Sequence, residues 1–346
     1  MTKKWIFSVT FWIFVIFSVI LLEIFSINFY TEKSMKNDIH CFFYGFVVYL
    51  SSVYEKRDYM NQKQKGILCI ISAAFFFALM SLFIRLAGDL PVFQKSFFRN
   101  LVALAFALIV LLKSHVKVTL DKGDWKGLLL RSIFGTIGVL FNFYAVDHLL
   151  LADATILNKL SPFFAVIMGV IILKESIRPF QLGTVVVALL GAMLVVKPGA
   201  SIVAGPAIIG LLGGCAAGTA YTFVRLLGKR GVPGPFIVFF FSAFSCLTIG
   251  PIMMMDYVPM TAQQLIFLLL AGLSAAIAQF SITSAYCYAP AKEISVFDYS
   301  QIIFSAILGF LVFHQIPDFL SWIGYALILT TAVANFLYNN RRQEPR

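Results

Sequence analysis

From Gly66 to Tyr338 the chain is cut into ten apolar stretches, at 66–87, 93–112, 126–146, 149–172, 179–196, 206–227, 235–255, 262–285, 290–313 and 318–338. Each is close to the ~20 residues that a helix needs to cross about 30 Å of hydrocarbon. Lipid offers no partner to an open backbone N–H or C=O, so apolar stretches of this length must be helical. Composition agrees, with 60% of the 346 residues hydrophobic and 12% charged, where a soluble domain has about 25% charged. A soluble enzyme is excluded, and an all-α membrane protein is expected. The joints, such as KESIRP and HQIPD, are short, and only KSHVKVTLDKGDW at 113–125 forms a modest polar loop.

The net charge of +11 points to nucleic acid only if it is gathered on a soluble surface. Here it lies in the joints. With the segment before Gly66 in the cytoplasm, seventeen Lys and Arg fall on that side, among them Lys113, Lys117, Lys122, Lys126, Lys229 and Arg230. Three fall opposite: Arg85, Lys95 and Lys197. Basic residues concentrate on cytoplasmic loops, so the reading is a multi-pass protein of the cytoplasmic membrane with both ends of the core inside. Lipid is its expected surroundings and nucleic acid is not a partner.

The two halves resemble one another at an offset of 140 residues. FIRLAG at 83–88 falls on FVRLLG at 223–228, Ala145 on Ala285, and FFAVIMG at 163–169 on IFSAILG at 303–309. One residue of slippage then sets Gly183 on Gly324. A constant offset is the mark of an internal repeat. Five helices per unit is an odd number, so the second unit enters the membrane from the other side. Two inverted five-helix repeats around a midplane site suit a secondary transporter that alternates access by moving one repeat against the other. The expected units are 60–200 and 201–346, the latter with a basic cytoplasmic tail.

Residues 1–59 form a hydrophobic N-terminal extension outside this scheme. Trp5 to Phe29 is long enough to span, with Glu23 inside it, and Ile39 to Tyr54 is short. Either these are extra helices or the functional chain starts at Met60, where MNQKQKG makes a basic lead. A small-residue cleavage site of the signal-peptide kind is missing.

Ionisable groups within spans mark function or helix pairing. Under the offset, Asn158 and Lys159 in LNKLSPFFAVIMG fall on Asp298 and Tyr299 in VFDYSQIIFSAILG. Two symmetry-related helices thus carry a base and an acid at nearly one depth. Either they line a midplane cavity, Lys159 drawing an anionic group and Asp298 an ammonium or a coupling proton, or they pair and clamp the helices. Pro162 lacks an amide and frees the carbonyl of Asn158. Gln301 shares a face with Asp298. Arg99, two turns into its span beside Asn100, is a further candidate for the cavity, whereas Arg131, five residues past the expected start of its span, is expected to snorkel to cytoplasmic headgroups. Asn142, Tyr144, Gln279 and Tyr286 are weaker candidates for an entrance.

Asp153 and Glu293 follow their helix starts closely and are read as favourable acids at positive helix ends. Phe76, Phe77, Tyr221 and Phe223 are read as core, since Phe alone numbers 37. GLLGGCAAGTA at 210–220 suits close packing or a moving interface. Cys41, Cys69, Cys215, Cys246 and Cys287 show no paired spacing and read as small hydrophobes. His40, His115, His148 and His314 are scattered, and no catalytic motif, metal site or cofactor loop is found in the sequence.

Residues 66–338 resemble the ten-helix EamA-type permeases of the drug/metabolite transporter superfamily. The resemblance rests on LNKLSPFFAVIMGVIILKESIRPFQLG, where Pro162, Leu173, Glu175 and Gly183 match the repeat-end pattern, and on FFRNLVAL at 97–104. The second half departs from it, with Gln315 in place of Glu175 and Ile302 in place of Pro162. The resemblance implies a permease for small polar or charged metabolites such as amino acids, nucleobases or S-adenosylmethionine-like compounds. Protons as coupling ion and a homodimer are compatible with it. The contrasting reading is a membrane protein that transports nothing, either a lipid-modifying enzyme or a structural subunit.

Overall fold

A computed structural model describes residues 62–114, 120–174, 179–196, 204–288 and 295–341. The extension at 1–59 lies outside them, as do Glu175, Lys197 and Glu293. The described elements are α1 (Gln62–Leu86), α2 (Val92–Ser114), α3 (Lys122–His148), α4 (Leu151–Asn158), α5 (Ser161–Leu173), α6 (Pro179–Val196), α7 (Ala204–Lys229), α8 (Gly234–Met255), α9 (Ala262–Tyr288), a 3-10 turn (Ser295–Tyr299), α10 (Ser300–Phe313) and α11 (Phe319–Arg341). Among the described residues nine stretches are long and apolar enough to cross a membrane, and α6 contributes a shorter one, Leu182–Val195. With α4 and α5 counted together, these are the ten expected crossings. The fold is all-α and multi-spanning.

The repeat is visible in the packing. α1 packs on α9 as α7 packs on α3; α10 lies on α1 as α5 lies on α7; α2 meets α9 as α8 meets α3. The remaining major contacts join α2 to its counterpart α8 and α6 to its counterpart α11. Exchanging the halves therefore maps the pattern onto itself. The backbone repeats as well: among the described residues the non-glycine residues with positive φ are Lys174 at 55° and His314 at 52°, one in each half at the 140-residue offset. Each caps its helix by donating its N–H to the carbonyl of an equivalent glycine, Gly169 or Gly309. Two inverted five-helix units account for both features.

Glycine sets the closest approaches. In lipid, helices associate through van der Waals contact and small residues that let backbones near one another. A Cβ on Gly213 would stand 3.1 Å from the Phe141 Cβ, and one on Gly138 would stand 3.2 Å from the Ala217 amide, so α3 and α7 interlock. Gly191 and Gly324 meet reciprocally where α6 crosses α11, each with the other's carbonyl within 3.0 Å of its absent Cβ. Gly183, by contrast, has nothing within 4 Å. Phe75, Phe76, Phe83 and Phe143 are fully buried in the large apolar cluster between the halves.

Polar ties fasten the ends. Asp124, buried in the first turn of α3, accepts the Asp121 N–H at 3.0 Å and pairs with Arg230 at 3.3 Å. Gln94 exchanges both amide bonds with the backbone of Val258, at 2.9 and 3.1 Å, which joins α2 to the loop after α8. Arg85 donates to the carbonyls of Val146 and Leu149, and Lys95, 1% exposed, pairs with Asp147 at 2.6 Å. Two basic residues assigned to the less basic side thus hold α1, α2 and α3 together.

Candidate functional site

The fourth crossing is not continuous. α4 stops at Asn158 and α5 restarts at Ser161, with Pro162 in the first turn, where a missing N–H costs nothing. Lys159 and Leu160 form the break, and the Leu160 N–H reaches back three residues to the Leu157 carbonyl at 3.3 Å. In the second half a 3-10 turn takes the same place, running into α10 at Ser300. Both symmetry-related helices are therefore interrupted at the positions singled out by sequence.

The structure brings Lys159 and Asp298 together, Nζ to Oδ2 at 2.5 Å, with side chains 8% and 15% exposed. Each charge suits its helix end: Lys159 caps the negative end of α4, and Asp298 precedes the positive end of α10. The pair is incompletely satisfied, because Asp298 Oδ1 is buried without a hydrogen-bond partner and so is the neighbouring Ser300 Oγ. Tyr299 and Gln301 are buried beside it, each 7% exposed, and Asn158 is half-buried.

The walls of the break are built by α7. Cβ atoms on Gly214 and Gly218 would stand 2.6 Å from the Leu157 carbonyl and 2.5 Å from the Ser161 carbonyl. The glycine-rich run thus serves close packing against the interruption. One turn further, Thr222 donates to the Ala165 carbonyl at 3.3 Å. Thr155 bonds Ser305 at 2.8 Å across the halves, and the Gln315 side chain accepts the Leu151 N–H at 3.0 Å, capping an orphan donor of α4. Asp153 stands in the first turn of α4, as expected, and also accepts the Tyr325 hydroxyl at 2.5 Å.

Two expectations are corrected. Arg131 does not snorkel to the headgroups: it is 6% exposed, its guanidinium 4.2 Å above the Phe241 ring. The reason lies in the helix start, since α3 begins at Lys122 rather than 126, which sets Arg131 about two and a half turns deep. Tyr221 is not core. It is 43% exposed. It follows Gly214 and Gly218 on the α7 face turned to the break.

Arg99 is buried inside the bundle. It lines a pocket with Ser242, Phe241 and Gln279, is 6% exposed, and donates one bond to Asn100 at 2.5 Å. Gln279 is thereby a pocket residue, whereas Tyr144 stacks on His148 at 4.2 Å and Asn142 lends its backbone to the contact with Gly213. The side chain of Tyr286 lies outside the described residues. Cys69, Cys215 and Cys246 are free thiols.

Paired discontinuous helices meeting at an acid and a base, within an inverted repeat, define a membrane carrier. The chain belongs to the EamA-like transporter family, whose sequence profile matches residues 64–197 and again 205–337. Among its relatives is the pseudopaline exporter CntI of Pseudomonas aeruginosa, 33% identical over 274 residues that cover 78% of this chain and 95% of that one. An uncharacterized transporter of Helicobacter pylori is 26% identical over 280 residues, covering 78% and 93%. A riboflavin transporter of Rhizobium johnstonii is 24% identical over 284 residues, covering 81% and 93%. A solved crystal structure shares the fold at a TM-score of 0.58 and 18% identity, covering 81% of this chain and 99% of that one.

Proposed function

We propose that this protein is a secondary transporter that moves a small polar or charged organic metabolite across the cytoplasmic membrane by alternating access, with its core termini in the cytoplasm. Lys159 and Asp298 are the substrate or coupling pair, with Asn158, Tyr299, Gln301 and Arg99 contributing to the same cleft. The observation that carries this reading is the buried, unpartnered Oδ1 of Asp298. A clamp would gain from satisfying both oxygens, whereas an open acceptor in a cleft awaits a ligand donor or a proton. Similarity to an exporter favours export, and places pseudopaline beside amino acids, nucleobases and S-adenosylmethionine-like compounds as the solutes to try first. The two repeats, 60–200 and 201–346, are the moving bodies.

The test is flux in proteoliposomes loaded with those solutes. Lys159→Met and Asp298→Asn should each abolish or alter flux per folded molecule. If Asp298 carries a coupling proton, Asp298→Asn should keep counterflow exchange, which needs no net proton release, and lose pH-driven accumulation. Unchanged flux per folded molecule in both variants would reduce the pair to a helix clamp.

A further inference from the structure

Two buried arginines form no ion pair among the described residues. Arg99 of α2 and Arg131 of α3 are each 6% exposed and lie within electrostatic reach of one another. Neither forms an ion pair among the described residues, and the Nε of each is buried without a partner, as is the amide nitrogen of Asn100. Phe241 links them, lining the pocket with Arg99 and lying under the Arg131 guanidinium at 4.2 Å. Ser242, next to it in that pocket, has a buried hydroxyl that is also unpartnered. Lys159 and Asp298 pair with each other, so among the described residues the two arginines remain without a compensating charge.

Burying one guanidinium without an anion is costly, and burying two close together more so. The scaffold does not ask for them. At the 140-residue offset the second half has Phe239 where the first has Arg99, and Ala271 where it has Arg131, although α8 and α9 repeat the packing of α2 and α3. Arginine in this half alone therefore answers to something other than helix packing. Its planar fork of donors matches a carboxylate bidentately.

We infer that Arg99 and Arg131 form an anion subsite that takes a carboxylate of the transported solute, with Asn100 and Ser242 donating beside them. This deepens the transport reading and rests on it: the cargo class is a net-anionic, carboxylate-bearing metabolite, held by the arginine pair at one point and by the Lys159–Asp298 pair at another. Phe241 supplies the aromatic wall of the arginine site.

The experiment is thermal unfolding of the full chain, purified in uncharged detergent, at constant ionic strength. Succinate, citrate and glutamate are the probes, with neutral succinamide, inorganic phosphate and chloride as comparisons. At least one carboxylate should raise the unfolding midpoint saturably, and succinamide should not. Arg99→Gln and Arg131→Gln should each weaken its apparent affinity tenfold or more, while Arg131→Lys, which keeps the charge and loses the fork, should fall between. Without added anion, both glutamine variants should be as stable as the parent or more so, because each removes an unpaired buried charge. Lowered ligand-free stability in both would make the arginines structural and overturn the inference. So would equal carboxylate responses in parent and variants, no response to any of the three acids, or a stronger response to phosphate or chloride. Proteoliposome flux separates the two proposals. Arginine-dependent carboxylate binding without transport of any solute refutes the transport reading alone, and transport with arginine-independent binding refutes the subsite alone.

Discussion

Gly214 of α7 stands against the carbonyl oxygen of Leu157, where an added Cβ would lie 2.6 Å away. Gly218, one turn on, has the same relation to Ser161. The glycines hold α7 against the broken helix at a distance that admits no side chain.

Gly214→Ala and Gly218→Ala should each cost about 1–3 kcal/mol, the usual range for overpacking. Both carbons would meet backbone atoms, which cannot swing aside. Gly228→Ala, on the same helix with nothing within 4 Å, is the control and should be neutral or slightly stabilising. Unfolding midpoints in detergent report the difference, and equal midpoints for the three variants would contradict the packing.

The double variant Lys159→Met/Asp298→Asn distinguishes a clamp from a working pair. Removing one member leaves a buried charge alone, which costs about 3–5 kcal/mol. Removing both should recover abundance. If the pair handles solute or proton, flux stays lost in the double variant; if it only joins helices, flux returns with abundance.

The Lys95–Asp147 pair should behave as structure. Asp147→Asn strands an ammonium that is 1% exposed and should lower stability by about 3–5 kcal/mol. Lys95→Met/Asp147→Leu should restore most of that loss. Flux per folded molecule should be unchanged throughout, as measured by proteoliposome transport normalised to the monodisperse protein peak.

Topology is checked by labelling a cysteine-free variant. Single cysteines at Asp256, after α8, and at Asp121, in the loop before α3, should react with a membrane-impermeant maleimide from opposite sides. Labelling from one side would refute the inverted arrangement.

The pairing of Lys159 with Asp298 was legible because a constant 140-residue offset set two charges on equivalent helices, and charge inside an apolar run is conspicuous. The breaks beside them were signalled by Pro162 in one half only, and the 3-10 turn at Ser295–Tyr299 has no proline to announce it. Arg131 and Tyr221 were misread for a different reason. In a membrane bundle the lipid-facing and inward faces are both apolar, so periodicity does not report how a helix is rotated about its axis. Depth was misjudged too, since the polar first turn of α3 at Lys122–Asp124 reads as loop until Asp124 is seen to close it against Asp121 and Arg230.

Exchange of first helices between the halves has a consequence for synthesis. α1 finds its main partner in α9, and α7 in α3, so the first helix of the repeat waits in the bilayer while α2 through α8 are still being made. Contacts so distant along the chain form slowly. The first half has no finished interior of its own to fold around, and its burden of Arg99, Arg131 and Lys159 lies open to lipid or water until the second half arrives. Nascent chains arrested after α6 should therefore be the species that membrane quality control sees, and the separately expressed halves should survive only when made together.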